Sequence, residues 1–168
     1  MTLSSPVIRI EQFNSEARIH TAAGDVYTAK HIISAIPVAL LNRINFIPCF
    51  PASKLQLIQR VPMGSVIKTV TFYDRPYWKD QGFSGQMWSD VGPVQYCLDD
   101  TKPDGSCPAL MGFILADCAV KYGKMSSEER REILAEHYAE CFRCPALKHP
   151  VDYVEMNWME EEYSGGKL

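Results

Sequence analysis

This 168-residue sequence has no basic surplus, no long hydrophobic run and no nucleotide-binding glycine signature. Lys and Arg number 17 against 20 Asp and Glu, a formal charge of −3. A nucleic-acid binder needs a basic stripe to displace phosphate counterions, so that class is excluded. Apolar runs stay under about ten residues, too short to span a bilayer. No basic-then-apolar leader opens the chain, so no secretory signal is visible. GxGxxG, GxxxxGKS/T and HExxH are all missing, and no complete phosphate or zinc site is encoded. Internal repeats and low-complexity tracts are also missing.

What is present is the balance of a folded domain: 46% hydrophobic and 22% charged residues. A chain this long buries roughly two-thirds of its unfolded surface, enough for a real core. The six cysteines (Cys49, Cys97, Cys107, Cys118, Cys141, Cys144) are too sparse for a secreted disulfide framework and read as free thiols. Cys141 and Cys144 form a CxxC without a second Cys or His pair. A redox CxxC sits at a helix N-terminus, where the dipole favours thiolate. This one falls near a helix end before Pro145 and reads as two packed thiols.

The first forty residues read as β structure. Val7–Ile10 and Ala17–His20 alternate, a turn at Ala22–Asp25 leads into Val26–Thr28, and His31–Ile36 reads as a strand apolar on both faces. A short helix is predicted over Ser53–Arg60, and strands over Ser65–Tyr73, Val94–Cys97, Ala109–Leu115 and Val151–Trp158. Ser126 and Glu129 form a capping box that starts a helix with Ile133, Leu134, His137, Tyr138 and Cys141 on one face. The pattern predicts an α+β fold, a mixed β-sheet with flanking helices. A chain that opens on a strand and closes on Gly165-Gly166 reads as a piece of something larger.

Lys68 is the most informative residue by pattern. It shares a strand face with Val66, Val70 and Phe72. An ammonium there must reach water, find a partner or lose its proton, since burial disfavours the charged form. Two readings stand: an edge-strand lysine with its head in solvent, or a functional amine on an apolar wall. Trp78, Trp88, Tyr96 and Phe113 could line a ligand cavity or simply fill a core. His137 reads as a packed, hydrogen-bonded histidine. Asp99-Asp100 reads as a turn and is given no catalytic role, and Glu160–Glu162 as a solvated run.

Arg60-Val61-Pro62-Met63-Gly64-Ser65-Val66-Ile67-Lys68, Leu98-Asp99-Asp100-Thr101-Lys102-Pro103, Met111-Gly112-Phe113-Ile114-Leu115-Ala116 and Asn157-Trp158…Tyr163-Ser164-Gly165-Gly166 together resemble the flavin-containing monoamine oxidases. Ile33-Ser34-Ala35-Ile36-Pro37 does so more loosely. The resemblance runs from about Pro6 to Gly166. It implies a two-domain protein: residues 1–37 as a β segment of the FAD domain, 38–156 as the substrate-binding domain, and 157–168 as the return towards the FAD domain. It implies FAD as cofactor, with Val7 near its adenine end, Lys68 holding a water against flavin N5, and Trp158 packed near the flavin. Trp88, Tyr96 and Phe113 match cavity-lining positions, and Trp88 is bulkier than the aliphatic residue common there.

The departures are equally specific. Lys167 stands where the family attaches FAD through a cysteine, so covalent attachment is not expected. The dinucleotide fingerprint, the two cage tyrosines and the C-terminal membrane helix lie outside these residues. The resemblance implies a segment of an enzyme that oxidatively deaminates amines to aldehydes and releases hydrogen peroxide, inactive as this piece alone. Its partners would be a small amine and the remainder of the FAD domain, with no nucleic acid, and a homodimer is compatible. The location would be the cytosolic face of the mitochondrial outer membrane if a full-length member carries the segment, and otherwise the cytoplasm. The alternative is a truncated, non-catalytic α+β module that binds a small ligand or a protein.

Overall fold

Alternation near the start of the chain produces an antiparallel meander: β1 (Val7–Gln12), β2 (Ala17–Thr21) and β3 (Val26–Ala29). Gly24 closes the β2–β3 turn at φ 93°, a left-handed conformation that glycine adopts without Cβ strain. β4 (Asn45–Ile47) then returns parallel to β1, with Ile10 opposite Phe46, giving the order β3-β2-β1-β4. A 3₁₀ turn over Val38–Arg43 precedes β4, and α1 (Ala52–Arg60) follows it.

The computed structural model describes residues 1–164. They fall into two compact units, residues 1–63 with 162–164, and residues 64–161. The first unit runs past Pro37 because β4 completes its sheet. His31–Ile36, predicted as an interior strand, is irregular, and Ile33 is 95% exposed. A segment apolar on both faces becomes a strand only when neighbours pair with it, and among the described residues none does.

The second unit is an antiparallel sheet in the order β6-β7-β8-β5-β9. β5 (Val66–Phe72) is followed by α2 (Tyr77–Asp80), β6 (Met87–Trp88), β7 (Tyr96–Asp99), β8 (Ala109–Leu115), α3 (Ala116–Tyr122), α4 (Ser127–Cys141) and β9 (Asp152–Asn157). The α+β prediction therefore holds, with the parallel pair that makes it mixed lying in the first sheet. The Ser126–Glu129 capping box forms at the start of α4.

One face of the second sheet is dry. Ile67, Leu110, Ile114, Cys97 and Met87 pack with Trp78, Leu134, Tyr138 and Phe142. Gly112 on β8 makes this packing close, because a Cβ there would stand 2.2 Å from the Tyr138 hydroxyl and 3.0 Å from Thr69 Oγ1. Gly112→Ala is expected to cost about 1–3 kcal/mol, the usual range for overpacking. Urea unfolding monitored by tryptophan fluorescence checks this.

Candidate active site

On the other face of the second sheet, the candidate residues fall in one cross-strand row. Register places Trp88 (β6) opposite Tyr96 (β7), Tyr96 opposite Phe113 (β8), Phe113 opposite Lys68 (β5), and Lys68 opposite Met156 (β9). Directly opposed residues leave a sheet on the same side, so all five project together. The Trp88 and Tyr96 rings lie 4.3 Å apart, and Tyr96 stacks on Phe113 at 6.0 Å. Lys68 Nζ stands 5.9 Å from the Phe113 ring centre, within cation–π range. The structure thus brings Lys68, Phe113, Tyr96 and Trp88 together in that order.

β5 has neighbours on both sides, so the edge-strand reading of Lys68 is corrected. Its face is half-open, while Ile67, Thr69 and Thr71 on the opposite face are fully buried. Thr69 is tolerated there because its hydroxyl donates to the Gly112 carbonyl at 3.3 Å. Among the described residues, Lys68 has no hydrogen-bond or carboxylate partner; its recorded contact is the Phe113 ring. Val66, Val70, Phe72, Met111 and Leu115 extend the apolar wall around it. An unpaired cation on a half-open apolar wall, flanked by stacked rings, suits a flat polar-edged ligand.

The remaining candidates fall elsewhere. Trp78 belongs to the core, where its Nε1 donates to Asp99 Oδ2 at 3.2 Å, so it lines no cavity. Asp99 also accepts from the Thr101 amide at 2.9 Å and pairs with Lys79 at 3.0 Å, the structural turn that was expected. His137 is buried with Nε2 3.2 Å from the Val94 carbonyl, and burial lowers its pKa despite that hydrogen bond. Cys141 ends α4, and burial pushes its thiol up, the opposite of an activated redox thiol. Among the described residues no group of three His, Cys, Asp or Glu side chains could hold a metal.

Val7 opens β1 in the first unit, half-buried and opposite Thr21. Trp158 follows β9 in the second unit, its amide donating to the Val66 carbonyl at 3.1 Å and its residue 42% exposed. Lys167 lies outside the described residues. Sequence reasoning missed Met156, the fifth member of the row. Alternation along Val151–Trp158 fixes its face, but only the β5–β9 register sets it beside Lys68.

Comparison with known proteins finds relatives that match nearly the whole chain. Relatives include amine oxidase [flavin-containing] B of Bos taurus, 45% identical over 98% of this chain, and that of Rattus norvegicus, 46% identical over the same share. Amine oxidase [flavin-containing] A of Bos taurus is 42% identical, again over 98%. The chain spans about a third of each relative, 32% of its length. Among solved structures, a redesigned putrescine oxidase matches with TM-score 0.90 and 28% identity, over 99% of this chain and 37% of that one. Cyclohexylamine oxidase from Brevibacterium oxydans IH-35A matches with TM-score 0.88 and 29% identity, over 96% and 36%. The family model for flavin containing amine oxidoreductases matches residues 1–168, and the chain belongs to that family.

Proposed function

We propose that this chain is the substrate-side segment of a flavin-dependent amine oxidase that converts amines to aldehydes and releases hydrogen peroxide. The observation that carries the reading is the single row Trp88–Tyr96–Phe113–Lys68 on an open apolar face. The chemistry FAD supplies when bound is two-electron oxidation of the amine and return of those electrons to oxygen. The residues present fit a flavin in part. Lys68 has an ammonium with no committed acceptor among the described residues, suited to donate through a water to a ring nitrogen. In the same reading Trp158 packs near the flavin and Val7 near its adenine end.

The division of labour follows from the chemistry of each side chain. Lys68 orients a water by hydrogen bonding and places a positive charge where oxygen is reduced. Phe113, Tyr96 and Trp88 exclude water from the substrate and favour its neutral amine, since an ammonium loses hydration on an apolar wall. Trp88 narrows the far end of the row and biases it towards slim amines. Residues 1–37 and 157–168 serve the FAD domain in this reading, and 38–156 the substrate domain. Lys167 leaves FAD without a thioether anchor, so the cofactor is held non-covalently. Among the described residues no helix is long and apolar enough to cross a membrane. Residence on the cytosolic face of the mitochondrial outer membrane would rest on a C-terminal helix beyond these residues, and homodimerisation is a further expectation of the reading.

The chain alone should bind no stoichiometric FAD and release no amine-dependent peroxide. Co-expressed with the complementary flavin-domain portion of a related amine oxidase, it should do both. A cooperatively melting, monodisperse monomer that takes up no flavin even beside the complementary portion would favour the non-catalytic module instead.

A further inference from the structure

We propose that Met156 is a peroxide-modification site whose sulfoxide captures the Lys68 ammonium. The starting point is register: β9 sets Met156 directly opposite Lys68, on the side away from Phe113. Directly opposed residues have Cβ atoms about 4.5–5.5 Å apart, and both side chains leave the sheet on the open face. β9 is an edge strand, and Met156 is 41% exposed. Met87, by contrast, is 8% exposed within the core.

The chemistry turns on what Lys68 lacks. Its ammonium carries three donors, and among the described residues none meets a hydrogen-bond acceptor. A thioether is only a weak acceptor, so reduced Met156 leaves that amine uncommitted. A sulfoxide oxygen is polar and accepts well. In the step, the Met156 sulfur lone pair attacks one peroxide oxygen and the O–O bond breaks. The other oxygen leaves as water with both peroxide protons. Sulfur is oxidised by two electrons and peroxide is reduced by two. The unbranched side chain then swings its new oxygen towards Nζ. Lys68 is thereby drawn off the face it would serve. Two-electron reduction of the sulfoxide by a thiol-fed sulfoxide reductase, which oxidises two thiols to a disulfide and releases the oxygen as water, frees it again. The physiological source of peroxide rests on the oxidase reading, whereas the chemistry is tested with added peroxide.

The experiment treats the 168-residue chain with dilute hydrogen peroxide under conditions in which buried Met87 stays protected. Peptide mass spectrometry follows methionine oxidation, and acetic anhydride then probes Lys68. Met156 should oxidise several-fold faster than Met87. Acetylation of Lys68 should then slow about threefold to tenfold, the range a partly solvated charge-assisted hydrogen bond supports. Methionine sulfoxide reductase should restore the original rate, and peroxide should leave Lys68 acetylation unchanged in Met156→Leu. Resistance of Met156 to peroxide, or Lys68 labelling indifferent to its oxidation state, overturns the inference. Failure of the oxidase reading shows itself separately, as absent amine-dependent peroxide in the complemented protein.

Discussion

Replacing Arg130 by alanine is expected to lower the unfolding free energy by about 3–5 kcal/mol, the cost of stranding one member of a buried ion pair. Arg130 is 5% exposed at the start of α4. Its Nε donates to Glu155 Oε2 at 2.8 Å, and a second guanidinium nitrogen donates to Oε1. Its remaining nitrogen donates to the carbonyls of Tyr122, at 3.0 Å, and Met125. Tyr153 adds a hydroxyl donated to Glu155 Oε2 at 2.7 Å. The fork therefore ties α4 to the edge strand that flanks Lys68. Removing Arg130 leaves a carboxylate behind without its cation, whereas Arg130→Met with Glu155→Leu should recover most of the loss.

The same pair fixes an acid limb. Burial pushes the Glu155 carboxyl up, but hydrogen bonds from Arg130 and Tyr153 and the Arg130 charge outweigh it, so its pKa is lowered overall. A carboxyl whose native pKa is depressed contributes fully above its unfolded value of about 4.3. That contribution is lost as pH falls through the lower native value. Urea unfolding across pH 7 to 3 should show this fall in the parent chain and a shallower one in Arg130→Ala.

In the flavin-loaded full-length protein, Lys68→Met should slow reoxidation of the reduced cofactor by oxygen about 10²-fold, the scale on which a preorganised polar donor acts. Methionine keeps the apolar stem against Phe113 but removes the charge and all three donors. Reduction by amine should change much less, because Phe113, Tyr96 and Trp88 still form the wall. Rapid mixing separates the two half-reactions. Equal loss in both would assign Lys68 to packing instead of to oxygen chemistry.

Much of this was legible as pattern. The alternation over Val66–Phe72, the Ser126–Glu129 box and the Ala22–Asp25 turn are local signals, and each yields the element expected. The separated motifs that carried the family sit on positioned elements: Lys68 on β5, Phe113 on β8 and Leu98 on β7. Non-local facts were not legible. Nothing in composition tells that Trp88, Tyr96, Phe113, Lys68 and Met156 share one row, since that depends on the register of five strands. Apolarity also marked the half-open face of β5, while Thr69 and Thr71 occupy the dry one. Arg130 gave no signal in the sequence, because its partner Glu155 lies 25 residues away on another element. His31–Ile36 failed for the opposite reason: its own residues favour a strand, but strand formation needs a neighbour.

The most direct measurement is double-mixing absorbance of the flavin-loaded protein that contains this segment. A primary amine added without oxygen should bleach the flavin band, and oxygen should then restore it with one equivalent of hydrogen peroxide. A flavin band that no primary amine bleaches would contradict the assignment of the Lys68 row to amine oxidation.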